Sequence, residues 1–95
     1  MSFDLTIVTP RGRAFAGAVE RVVLPGSEGD FGVLPLHERL FAMLRTGAVE
    51  ILAGGETLRA EIAAGFAQVT GEAVTVLVDS CQMAGGAGSA RAAHP

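Results

Sequence analysis

Residues 48–63 read AVEILAGGETLRAEIA, and this stretch decides the fold class. Two runs of alternating apolar and polar residues flank Gly54-Gly55, and such alternation is typical of strands with one buried face. A glycine pair tolerates positive φ, so it suits the two-residue connection of a β-hairpin. The inward side of this predicted hairpin carries Val49, Ile51, Leu58, Ala60 and Ile62, and the outward side carries Glu50, Thr57, Arg59 and Glu61.

The same strand signals recur along the whole chain. A second hairpin is predicted where two valine-rich runs meet across Gly71-Glu72. The segment 40–44 suits a helix as well as a strand by composition, and its strand-like neighbours favour a strand. Strands are predicted over 3–7, 13–17, 18–24, 31–34, 40–44, 48–53, 56–63, 66–70 and 73–79.

About eight to ten short strands at this spacing predict an all-β fold, a flattened β-sandwich or barrel. The main core is predicted to consist of Phe3, Leu5, Ile7, Val49, Ile51, Leu58, Ile62, Val74, Val76 and Val78.

Composition limits the class of protein. A chain of 95 residues supports one domain with one small core. It has no long apolar run and no signal-peptide pattern, and its single cysteine, Cys81, fits a reducing compartment. The net charge is −3, and the seven basic residues are scattered arginines. Nucleic-acid binding is not expected, because it requires a basic stripe.

The last residues differ from the rest of the chain. Residues 84–95 are rich in alanine and glycine and contain no large apolar side chain. Such a segment cannot offset its own ordering entropy. We therefore predict a domain over 1–83 followed by a flexible tail over 84–95.

The most structured loop signal lies in residues 24–47, LPGSEGDFGVLPLHERLFAMLRTG. Its closely spaced glycines and two prolines predict a shaped surface turn from which Glu28 and Asp30 project. The two carboxylates can be ordinary solvated turn residues. They can also form a docking loop for a cationic or polar partner, where charge complementarity sets the orientation.

Catalysis, metal binding and cofactor binding are not predicted. The glycine spacing matches neither phosphate-binding motif, and carboxylates in the loop would repel phosphate. Nothing in the spacing joins Cys81 or a serine to His37 as a nucleophile and its base. The two histidines, His37 and His94, are too far apart in sequence to suggest a metal site. His37 is either a packed histidine or a residue that meets a partner.

A longer motif resembles a known family. VERVVLPGSEGDFGVLP at 19–35, His37 and LRTG at 44–47 closely resemble the epsilon subunit of the bacterial rotary ATP synthase, called delta in mitochondria. Downstream, AGFAQV at 64–69 and VTVLVD at 74–79 resemble the same family. The resemblance covers residues 3 to about 83.

The resemblance implies a non-catalytic rotor subunit that links the gamma subunit to the c-ring and couples ion flow to ATP synthesis. It further implies a peripheral position on the cytoplasmic face of the bacterial inner membrane, held there only through the complex. The residues implied to face the c-ring are Ser27, Glu28, Gly29 and Asp30, and those implied to face gamma are Thr9, His37 and Ala42.

The chain departs from the family pattern in two places. Leu36 stands where the family has glycine, and Glu38-Arg39 replaces a small residue and a proline. Leucine does not freely adopt the positive φ open to glycine. The helical hairpin that follows in most bacterial members is not in this sequence, which is either naturally short or cut at the domain boundary. We do not expect the sequence as given to act as a nucleotide-sensitive brake. Two alternatives remain: an epsilon-like paralogue in an alternative, sodium-translocating enzyme, and a free-standing β-sandwich that binds a small ligand or peptide.

Overall fold

The computed structural model describes residues 1–36 and 38–84, which form ten β-strands and no helix. The all-β prediction is confirmed, and both residues of the Gly54-Gly55 turn adopt positive φ, 59° and 79°. The strands are β1 (Phe3–Thr9), β2 (Gly12–Val19), β3 (Arg21–Gly26), β4 (Gly29–Val33), β5 (Leu40–Leu44), β6 (Gly47–Ala53), β7 (Glu56–Ile62), β8 (Gly65–Val69), β9 (Ala73–Val78) and β10 (Cys81–Ala84).

The strands form one continuous sheet that folds into two layers. One layer has the order β10-β7-β6-β3, with β4 also paired to β3, and the other has the order β5-β8-β9-β1-β2. The layers join where Gly26 of β3 pairs with Leu44 of β5. At the other end β2 lies against β6 and β10, so the sandwich is nearly closed. The described domain measures 30 × 29 × 21 Å, which is the flattened shape predicted.

The core lies between the layers, and all ten predicted core residues are buried. Their period of two along each strand places them on the inward face. Burying one such side chain contributes roughly 1.5–3 kcal/mol. The structure adds eight buried apolar residues to the predicted set: Val19, Val22, Leu24, Val33, Leu44, Ala60, Ala67 and Val69.

The single strand predicted over 18–24 is wrong, because the chain breaks at Glu20. Strand β2 ends at Val19, and β3 begins at Arg21 and pairs with β6 instead of β1. The Glu20 N–H donates to the Leu52 carbonyl at 2.7 Å, which fixes the crossing between layers. Val19 and Val22 are both buried at a spacing of three, which one flat strand with period two cannot achieve.

The short edge strand β10 has no counterpart among the predicted strands. It pairs with β7, with Cys81 opposite Ile62, and it includes Ala84, which had been assigned to the tail. The Cys81 side chain is half-buried against the core, and this burial raises the pKa of its thiol. The remainder of the predicted tail, residues 85–95, lies outside the described residues.

Candidate partner-binding surfaces

The acidic loop is the tip of a tight hairpin between β3 and β4. Gly26 pairs with Gly29, so Ser27 and Glu28 form the two-residue turn. Gly29 has φ of 132°, a conformation that favours glycine. The structure brings the four predicted c-ring-facing residues together at this tip, and all four are exposed: Ser27, Glu28, Gly29 and Asp30. We call them the acidic hairpin.

The two carboxylates of the acidic hairpin have different surroundings. Asp30 Oδ1 lies 2.7 Å from Arg45 Nη2, an ion pair that is exposed to solvent. The same guanidinium donates from Nη1 to the Gly26 carbonyl at 3.2 Å. No residue within 1–36 and 38–84 forms an ion pair with Glu28. Among the described residues, Asp30 therefore has a counter-charge within the chain and Glu28 has none.

The predicted gamma-facing residues occupy separate sites. The Thr9 hydroxyl donates to the Gly12 carbonyl and accepts from the Arg11 N–H, both at 3.2 Å, so it shapes the β1–β2 turn. Ala42 pairs with the buried Ala67, so its side chain is on the inward face of β5. His37 lies outside the described residues.

Two cavities relate these residues to their surroundings. Ala42 lines a cavity of about 360 Å³ whose wall includes Ser27 and Glu28 of the acidic hairpin and Phe41 and Met43 of β5. Thr9 lines a different cavity, whose wall includes Phe66 and Leu77. Thr9 and Ala42 therefore line different cavities.

A row of apolar side chains covers the outer face of β5, β8 and β9, and sequence reasoning did not single it out as a site. The pairings align Met43 with Phe66 and Phe66 with Leu77 across the three strands. The Phe41 ring packs beside Phe66, with centroids 5.5 Å apart and ring planes tilted by 32°. We call Phe41, Met43, Phe66 and Leu77 the outer row; their exposed fractions range from 38% to 63%. Contiguous exposed apolar side chains mark interaction surfaces.

The signal for the outer row is present in the sequence. Phe66 precedes Ala67 in β8, and Leu77 separates Val76 from Val78 in β9, so apolar residues occupy both faces of these strands. Strands that carry apolar residues on both faces are typically covered on both sides. Within 1–36 and 38–84 the four side chains on this face stay exposed.

Two further classes of site were searched for in the described ranges. No three His, Cys, Asp or Glu side chains there are grouped so that they could hold a metal ion. No helix in 1–36 or 38–84 is long and apolar enough to cross a membrane.

With this geometry established, comparison with known proteins identifies the family. Residues 2–84 match the family profile described as the ATP synthase, Delta/Epsilon chain, beta-sandwich domain. The chain belongs to this delta/epsilon family. The β-sandwich named in the profile agrees with the two-layer fold observed here.

Individual proteins named ATP synthase epsilon chain are also similar to this chain in sequence. The chain is 46% identical to the ATP synthase epsilon chain of Maricaulis maris over 79 residues, which cover 83% of this chain and 58% of that protein. It is 41% identical to the epsilon chain of Helicobacter acinonychis over 75 residues, covering 79% and 61%. The chain thus spans about three fifths of the length of the curated relatives it matches.

Two solved structures share this fold. A chain of the Euglena gracilis mitochondrial ATP synthase, in a structure of OSCP, F1 and the c-ring, matches 86% of this chain and 53% of its own length with a TM-score of 0.81 and 25% identity. A chain of the Tetrahymena thermophila central stalk and c-ring matches 83% of this chain and 64% of its own length with a TM-score of 0.69. That second likeness, at 12% identity, shows the fold alone.

Proposed function

We propose that this chain is a non-catalytic rotor subunit of an ATP synthase, which links the gamma subunit of the central stalk to the c-ring. Membership of the delta/epsilon family supports this role, as does the likeness to a chain in a structure of OSCP, F1 and the c-ring. The observation that carries the proposal is the outer row, an apolar surface that is exposed in the described part of the chain.

The outer row is the surface proposed to bind gamma. Its two phenylalanines are rigid anchors of the kind that dominate protein interfaces. Thr9 borders the row through the cavity it shares with Phe66 and Leu77, which supports its assignment to the gamma-facing side. Ala42 and His37 remain predictions for this side.

The acidic hairpin is the surface proposed to face the c-ring. Its tip is exposed, and Gly26-Gly29 pairing holds the turn in one shape. Glu28 offers a charge without an internal counter-ion to polar or cationic loops. A rim charge of this kind steers association and sets orientation more than it adds affinity.

The proposed role is mechanical and not chemical. Both surfaces, the outer row and the acidic hairpin, suit contact with protein partners. We further propose that the subunit sits peripherally on the cytoplasmic face of a bacterial inner membrane, held through the complex, because the matched relatives are bacterial epsilon chains. A free-standing ligand-binding sandwich is less well supported, because residues 2–84 match a domain of the ATP synthase delta/epsilon chain.

The experiment is co-elution of the purified chain with its cognate gamma subunit. We expect a one-to-one complex at micromolar concentration, since a specific interface of at least about 1,200 Å² would cover the outer row. The variant F41S/F66S is expected to lose co-elution, because serine removes the apolar anchors from an exposed face. The control Glu50→Gln changes an exposed residue in the other layer and is expected to bind normally. If the parent chain and gamma do not associate, the proposed role is wrong.

A further inference from the structure

The acidic hairpin is not a free loop, because β5 crosses its base. The Ser27 N–H donates to the Met43 carbonyl, and the Arg45 N–H donates to the Pro25 carbonyl, both at 2.9 Å. These two bonds flank the Gly26–Leu44 pair that joins the two layers. The end of β5 therefore lies against the hairpin at the junction of the sandwich.

The Arg45 side chain continues this contact across both strands of the hairpin. Its Nη1 donates to the Gly26 carbonyl of β3 at 3.2 Å, and its Nη2 reaches the Asp30 carboxylate of β4 at 2.7 Å. The planar, rigid fork of a guanidinium suits two acceptors held in fixed directions. One side chain, from the residue that follows β5, thus ties together the two strands whose turn carries Glu28.

The two proposed partner surfaces meet at this contact. Met43 belongs to the outer row, and its carbonyl accepts from Ser27 in the hairpin turn. Arg45 follows two residues later in the same segment. Backbone hydrogen bonds and the guanidinium therefore connect the end of β5 directly to the hairpin.

We propose that Arg45 is a positioning residue that uses the Asp30 carboxylate to hold the acidic hairpin against β5, so that Glu28 is the carboxylate that engages the partner. In this proposal the Asp30 carboxylate pairs with Arg45 of the same chain, and the Glu28 carboxylate contacts the partner chain. The inference rests on the proposed function for the identity of the partner, but the Arg45–Asp30 contact itself does not depend on it.

The first arm measures the isolated chain by amide hydrogen exchange. The variants Arg45→Gln and Asp30→Asn are each expected to speed exchange of the Ser27 amide several-fold, because the hairpin loses its tie to β5. Glu28→Gln is expected to leave that rate unchanged. The control Arg59→Gln breaks another exposed ion pair, the 3.1 Å contact with Glu61, and should not affect Ser27. Wild-type exchange in Asp30→Asn would overturn the inference, whatever the protein's function.

The second arm measures coupling in the reconstituted complex, as ions pumped per ATP hydrolysed. Glu28→Gln is expected to weaken coupling without changing Ser27 exchange. The effects of Arg45→Gln and Asp30→Asn are expected to be non-additive, because each removes the same contact. Additive losses would show that Asp30 contacts the partner directly and would overturn the division of roles. If the chain does not join the complex at all, the proposed function fails, and the exchange results still decide the Arg45 contact.

Discussion

The inner and outer faces of β5, β8 and β9 belong to the same strands and carry different side chains. The inner face has small residues such as Ala67 and Val76, which are fully buried. The outer face has larger residues such as Phe41 and Phe66, which are exposed. The small inner residues are consistent with the shortest dimension of the domain, 21 Å. The large outer residues stay exposed in this structure. Hydrophobicity alone therefore does not show which face of a strand lies in the core. That depends on which face the other layer of the sandwich covers.

The largest loss of stability is expected from a substitution on the inner face where there is no space for another atom. A Cβ on Gly65 would collide with the backbone carbonyl of Leu77 on the neighbouring strand. Because backbone cannot rotate away, Gly65→Ala should cost at least the upper part of the roughly 1–3 kcal/mol typical of overpacking. The measurement is the urea midpoint of unfolding.

The matched control for that substitution is Gly71→Ala, in the turn that joins the same two strands. A Cβ there meets nothing within 4 Å, and Gly71 does not need positive φ. The free energy of unfolding of Gly71→Ala should therefore change by less than about 1 kcal/mol. The sign of that change depends on how much alanine restricts the unfolded chain. Equal midpoints for the two alanine variants would mean that the close approach at Gly65 is not real.

The second prediction compares adjacent residues on opposite faces of β9. Val76→Ala removes buried methyl groups and should lower the free energy of unfolding by about 2 kcal/mol. Leu77→Ala removes more atoms from the exposed outer row, yet should cost about 1 kcal/mol or less in the isolated chain. Chemical denaturation of both variants checks this, and a larger loss for Leu77→Ala would show that the outer face is already covered in the free protein.

Much of the inner face is predictable because burial on one side imposes a period of two. That period, with the Gly54-Gly55 turn, identifies every one of the ten predicted core residues correctly. The break at Glu20 was missed because the switch between layers depends on its bond to Leu52, far along the chain. Strand β10 was missed because a four-residue edge has too little alternation to detect.

The candidate site is less predictable, since it depends on contacts between distant segments. The acidic hairpin is visible in sequence, but the Arg45–Asp30 ion pair joins residues fifteen apart, and no local pattern reveals it. Leu36 is a different case: it adopts φ of 65°, the left-handed conformation expected of the family's glycine, at a typical cost of about 1–2 kcal/mol. The intrinsic preference of leucine therefore does not explain the turn geometry there.

The smallest effect on stability is expected at Cys81. Its side chain is half-buried at the edge of the other layer, so its exposure lies between that of the inner face and that of the outer row. Burial disfavours the thiolate and raises the pKa of the thiol above its usual value, so its reaction with a thiol reagent should be slower than in urea-unfolded protein. The rate should rise at higher pH in the folded protein. Equal rates at every pH would show that the thiol is as solvated as in the unfolded chain.

The same raised pKa predicts the direction of stability change at alkaline pH. The folded state binds the thiol proton more tightly, so this contribution is complete below the unfolded pKa of about 8.5 and is lost as pH rises above it. The chain has no lysine and no tyrosine, so other side chains contribute little between pH 8.5 and about 10. Urea midpoints should fall slightly over that range in the parent chain and stay flat in Cys81→Ala. If the urea midpoint falls equally with pH in both proteins, another group causes the loss of stability at alkaline pH. The Cys81 thiol would then be as solvated in the folded protein as in the unfolded chain.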